Sequence, residues 1–184
     1  MKNNILKGSV IFIILALFLI STATVFSADN NNSNNDLNIL SLSKGGITIE
    51  YPSDWGVSKA TSNYSIMAIS KLDSIDSFGI GQVNVNVEKK PVEGDFYTFV
   101  NDSYVSMQKD SSYQLVSAGE VSVGGENVLE YIYTSTEATG QKEHKAVWFE
   151  RGGQAYVIMY SAPIAEFEDN LYVFDYILSG IQIT

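Results

Sequence analysis

Ile47, Ile49 and Tyr51 alternate with Thr48 and Glu50, the two-residue period of a half-buried strand. Pro52 stops that strand, since proline cannot donate to a ladder, and Ser53 and Asp54 turn the chain into Trp55. Trp55-Gly56-Val57 predicts a returning strand, and Tyr64 to Ser70 a third, apolar on both faces. Lys71 to Ser77 reads as a loop. Phe78 to Glu88 predicts a long strand: Val83, Val85 and Val87 point one way, and Gln82, Asn84, Asn86 and Glu88 the other.

Pro91 and Gly94 end that strand, and Asp95 is placed to cap a helix. Phe96, Phe99, Val100, Tyr104 and Met107 recur at helical spacing down to about Lys109, with Asn101, Asp102 and Gln108 opposite. A meander follows. Gly124-Gly125 separates strands Tyr113 to Val123 and Glu126 to Thr136, a tight hairpin signal. Thr139-Gly140 and Gly152-Gly153 mark the turns before Lys142 to Glu150 and Gln154 to Tyr160. Val147, Trp148 and Phe149 are adjacent and apolar, as are Tyr156 to Met159, so both faces of these strands are covered. After Pro163 a second helix carries Phe167, Leu171, Phe174 and Leu178 to a stop at Gly180, and Ile181-Gln182-Ile183 is a candidate last strand. The expectation is an α+β fold, an antiparallel sheet of six to eight strands flanked by helices.

The N-terminus has a different pattern. Lys2 and Lys7 precede an unbroken apolar run, Val10 to Ile20, and Val25 and Ser27 suit cleavage after Ser27, with Ala28 the near alternative. Residues 1–28 therefore read as a secretory signal peptide. The rival reading is an uncleaved anchor, but Val10 to Phe26 falls short of the roughly 20 apolar residues of a spanning helix. Residues 29–43 form an Asn-rich linker. Within it, Leu37, Ile39, Leu40 and Leu42 either start a docking strand or simply lead into the domain, residues 44–184.

Composition narrows the functional classes. Cysteine is absent from the 184 residues, which removes disulfides, thiolate metal sites, cysteine nucleophiles and a lipidated N-terminal cysteine. The formal charge is −10, and losing Lys2 and Lys7 with the leader would leave 21 acidic against nine basic groups. Such a surface repels nucleic acid and anionic membrane.

Residues 45–184 resemble the PsbP-like fold family, named for the extrinsic subunit of the photosystem II oxygen-evolving complex. The likeness rests on the opening strand into Tyr51-Pro52-Ser53-Asp54-Trp55, the helix after a long central strand, the hairpin meander, and a closing helix followed by Ser179-Gly180-Ile181-Gln182-Ile183. The resemblance implies an antiparallel sheet between helices, in exported or lumenal proteins that assist larger complexes without catalysis. The photosystem member binds metal ions and its partner through an N-terminal segment. The corresponding segment here is Asn-rich, with no basic or His-containing motif, so that role and its binding residues do not carry over.

Few residues suggest chemistry. His144, the single histidine, stands in Lys142-Glu143-His144-Lys145 and reads as a surface residue beside charged neighbours, since no nucleophile motif accompanies it. A hydrolase would need a catalytic cluster around it. Asp73 and Asp76 could offer oxygens to a metal ion, but D-x-x-D lacks the further ligands and glycine of a calcium loop. Glu166, Glu168 and Asp169 open the last helix, where the macrodipole accounts for them. Gly79-Ile80-Gly81 and Gly124-Gly125 are turns or bulges, not phosphate loops. Tyr172 and Tyr176 are read as widening the buried stripe of the last helix, with a partner surface as the alternative. Asn31, Asn63 and Asn101 head N-glycosylation sequons. The resulting expectation is an exported, non-enzymatic accessory or binding module without a cofactor. It would be secreted or held at the outer face of the cytoplasmic membrane, with a protein partner in the cell envelope, no nucleic acid, and membrane contact only through residues 10–26. A small-ligand or metal-binding protein, with a pocket between helix and sheet, is the alternative.

Overall fold

The computed structural model describes residues 38–60 and 62–184. The signal segment, the linker as far as Leu37 and the Asn31 sequon lie outside the described residues. In chain order the elements are β1 (Ile39–Lys44), β2 (Ile47–Pro52), β3 (Trp55–Val57), β4 (Ser65–Lys71), β5 (Asn84–Pro91), α1 (Phe96–Met107), β6 (Gln114–Val123), β7 (Glu126–Glu137), β8 (Gly140–Arg151), β9 (Gln154–Pro163), α2 (Phe167–Gly180) and β10 (Gln182–Ile183), with short 3₁₀ turns at Leu72–Ser74 and Ile164–Glu166. β3-β4-β5-β9-β8-β7-β6 make a seven-stranded sheet and β1-β2-β10 a three-stranded one. Every pairing is antiparallel. This is the expected α+β architecture, with a second small sheet added. β1 settles the linker alternatives: residues 39–43 pair with β2 as a docking strand.

Two expected elements are adjusted. The strand drawn over Phe78 to Glu88 begins only at Asn84 and runs to Pro91. Asp76 Oδ1 accepts hydrogen bonds from the Phe78 and Ile80 amides, at 2.8 and 3.0 Å, and holds that stretch in a turn. Tyr172 and Tyr176 do not widen the α2 stripe; they are 57% and 39% exposed. Asn170, Val173 and Ile177 extend the buried arc on the other side of Phe167, Phe174 and Leu178, which leaves the tyrosines on the outer face.

The alternation within β8 and β9 builds two cores. Val147, Phe149, Tyr156, Ile158 and Tyr160 face α2 and the small sheet, joining Ile47, Ile49, Trp55, Val83, Val85 and Val87. Ala146, Trp148, Ala155 and Val157 face α1, beneath Phe96, Val100 and Tyr104. Asp95 caps α1 as expected, accepting from the Thr98 amide at 2.8 Å. Tyr104 stacks on Tyr131 with centroids 3.7 Å apart, and its hydroxyl accepts from Trp148 Nε1 at 2.8 Å. Burial and the neighbouring tyrosines push the Tyr104 phenol far up, so it stays neutral. On the other side Tyr160 donates to the Phe167 carbonyl at 2.8 Å, tying β9 to the start of α2.

Tyr104→Phe would leave the buried Trp148 N–H without its acceptor. The expected loss is about 1–2 kcal/mol of unfolding free energy, read as a lower urea midpoint at unchanged m-value. An unchanged midpoint would show that this hydrogen bond does not secure α1.

Candidate functional site

α1 covers only one end of its sheet face. Cross-strand register aligns Tyr133, His144, Ser161, Asn84 and Ser70 in one row across β7, β8, β9, β5 and β4. The next row towards the helix runs Tyr131, Ala146, Met159, Asn86, Ala68. Where the helix ends, the inward-facing residues change from apolar to polar. His144 is 5% exposed, Ser161 4% and Lys142 7%, so the expected surface histidine is a buried one. The reason is its strand: β8 is interior to the sheet, and His144 shares the inward phase of Ala146 and Trp148.

The imidazole is fully engaged. His144 Nδ1 lies 2.7 Å from Ser161 Oγ and Nε2 lies 2.8 Å from Ser135 Oγ. Its ring stacks on Tyr133, centroids 4.6 Å apart, and Tyr133 donates to Met159 Sδ at 3.2 Å. Glu137 Oε1 is 4.0 Å from Nε2, while its other oxygen pairs with Lys142 Nζ at 3.1 Å. Desolvation lowers the His144 pKa to about 4; Glu137 opposes that shift and Lys142 adds to it. The ring is therefore neutral at pH 7, one nitrogen donating and the other accepting. Beside this row Asn86 Nδ2 donates to Glu88 Oε1 at 3.0 Å, and Glu88 pairs with Lys90 at 3.0 Å.

Above the row lies a cavity of about 320 Å³. Its floor is Asn84, Asn86, His144, Met159 and Ser161, and its walls come from Lys59 and Ala60, the Asp76 to Gln82 loop, and the Glu137 to Thr139 turn. Gly81 is required by close approach: a Cβ there would fall 2.1 Å from the Ser70 side chain. Ser74 holds the two ends of the same loop together, its Oγ accepting from the amide of Val83, just before β5, at 3.1 Å.

The other sequence candidates are dispersed. Asp76 borders the cavity with one oxygen committed to the turn, and Asp73 pairs with Lys71 at 3.6 Å. Among the described residues no group of three His, Asp or Glu converges as metal ligands. Glu168 and Asp169 lie in the first turn of α2 and Glu166 just before it. Asn63 and Asn101 are exposed. Sequence reasoning missed the polar row; its signal was the even-numbered phase of β8 and the odd-numbered phase of β9, where His144 and Ser161 continue the apolar series of Ala146, Trp148, Val157 and Met159.

No family model matches the chain, and no curated protein matches it. Solved structures do. Cyanobacterial PsbP (CyanoP) from Synechocystis superposes with a TM-score of 0.57 at 14% identity, over 85% of this chain and 98% of that one. LpqN, involved in cell envelope biogenesis of Mycobacterium tuberculosis, gives 0.55 at 14% identity, over 82% and 92%. The Pseudomonas aeruginosa protein PA94, of unknown function, gives 0.50 at 10%, over 77% and 94%. The chain has the PsbP-like fold.

The His144 pKa fixes a sign for pH dependence. Its folded value, about 4, lies below the ordinary 6.5. The unfolded state therefore binds the proton first, and stability is lost as pH falls from 6.5 towards 4, by up to about 3 kcal/mol. His144→Gln keeps a polar partner for the serines but cannot titrate. Its unfolding free energy should fall less than the wild type's over that window. Parallel pH profiles for the two proteins would show that His144 carries no such linkage.

Proposed function

We propose that the protein is an exported, non-enzymatic binding module of the cell envelope, an accessory to another envelope component, with the polar half of the α1 face as its working surface. The carrying observation is the cavity over His144 and Ser161, a concave site with several hydrogen-bonding groups on a rigid sheet. The leader read at residues 1–28 supports export, and LpqN, with the same fold, is involved in cell envelope biogenesis. Among the described residues no helix is long and apolar enough to cross a membrane. The cavity also favours the second reading, a small-ligand-binding protein.

The Ser161–His144 pair does not argue for a hydrolase. Ser161 sits within an interior strand, paired with Asn84 on one side and His144 on the other. Its main-chain neighbours serve the ladder, and an oxyanion needs uncommitted donors. Glu137 stands too far from Nε2 for a hydrogen bond, and Ser135 holds that position.

Native mass spectrometry of protein purified gently from its host tests the proposal. The expected species begins at Ala28 or Asp29, comes from outside the cytoplasm, and retains an envelope component or a small adduct. A full-length chain in the cytoplasmic fraction would overturn export. A full-length chain recovered only in detergent would instead make Val10 to Phe26 an anchor.

A further inference from the structure

The cavity over the His144 row has a consistent chemical character. Each charge at its edge already has a counterpart or faces water. Lys142 and Glu137 pair with each other, Asp76 accepts from two backbone amides, and Lys59 is exposed at the rim. Both nitrogens of His144 are taken by serines. A carboxylate entering the site would meet Asp76 and Glu137, and an ammonium would meet Lys59 and Lys142. The two cations and two anions of the lining balance, so an ion of either sign would lose hydration and meet as much like charge as opposite charge.

Uncommitted hydrogen-bonding capacity is abundant and of both senses. Among the described residues the Gln82 and Thr139 side chains make no hydrogen bond. Asn84 spends its Nδ2 on the Gly81 carbonyl, at 2.9 Å, and leaves its Oδ1 to accept. A hydroxyl both donates and accepts, so it can answer each of these groups. Ala68, Ile80 and Met159 supply apolar lining that suits C–H surface. The volume, about 320 Å³, lies at the low end of the roughly 300–1,000 Å³ of ligand pockets, which suits one ring or a short chain.

We infer that the cavity binds a small, uncharged, hydroxyl-rich molecule, a single sugar ring or a polyol, either free or as the end of a glycan. The inference rests on the reading of this face as the working surface and specifies its ligand.

Titration calorimetry on the mature exported protein tests it, using mannitol, glucose and N-acetylglucosamine against glucuronate and glucosamine. At least one uncharged compound should bind saturably at one site, with the charged compounds about tenfold or more weaker, as a difference of roughly 1.4 kcal/mol requires. Gln82→Ala should weaken binding several-fold. Ala60→Trp, which blocks the mouth from an exposed position, should abolish it, and neither substitution should move the unfolding midpoint. An oligosaccharide binding more tightly than its single sugar would identify a glycan end, and the reverse a free solute; both support the assignment. Preference for a charged compound would overturn it. So would silence from the whole panel, and if Ala60→Trp still displaced an envelope component, the working surface would stand without this ligand. Binding indifferent to both substitutions would overturn the ligand and the site together.

Discussion

The dimensions of one helix against one sheet face determine where this protein can have a site. α1 spans 12 residues, about 18 Å. β7 and β8 each span 12 residues and β9 ten, about 34–40 Å of extended chain. A helix of that length cannot cover strands of that length end to end. The face must either expose apolar surface beyond the helix or change character there, and it changes character. Trp148, Ala146, Val157 and Ala155 lie under α1, and His144, Lys142, Ser161 and Asn84 lie beyond it. The opposite face carries α2 and the small sheet, and its core runs from Tyr51 and Trp55 to Val147, Phe149 and Ile158.

Polar groups at such depth persist only when satisfied. The row meets that condition by coupling to the helix core. Tyr104 contacts Tyr133 edge to face at 5.8 Å, and Tyr133 stacks on His144, so the rings continue from the apolar half into the polar half. His144 in turn links β7 to β9 through Ser135 and Ser161. The floor of the cavity is therefore fixed by the packing that fixes α1.

The fold was readable because its strongest signals are local. Asp95, the Gly124-Gly125 turn with both φ values positive, and the valines of β5 each specify their own structure, and the PsbP-like likeness follows from their order. The site was not readable for the converse reason. His144 looks like a surface residue among Lys142, Glu143 and Lys145, because one strand shows its neighbours along the chain and hides those across the sheet. Ser161, Asn84 and Ser135 come from three other strands, and no spacing rule connects them to His144. Tyr172 and Tyr176 failed differently. A stripe can widen on either side, and only the packed structure shows that Val173 and Ile177 took the buried side.

The walls of the cavity differ from most loops in how firmly they are tied. Asp76 pins the turn at Phe78 and Ile80, Ser74 bonds the Val83 amide, Ile75 bridges Gly81, and Gly81 lies flush against Ser70. Loops held by their own side chains lose little entropy when a ligand arrives, so weak hydrogen bonds suffice to hold a small molecule. Catalysis would need groups aimed at a developing charge, and the amides nearest Ser161 are already spent in the sheet. The same saturation that removes donors for a reaction keeps the floor rigid. A preformed, electrically balanced hollow with idle amide and hydroxyl groups supplies the contacts that the proposed recognition of an uncharged molecule needs.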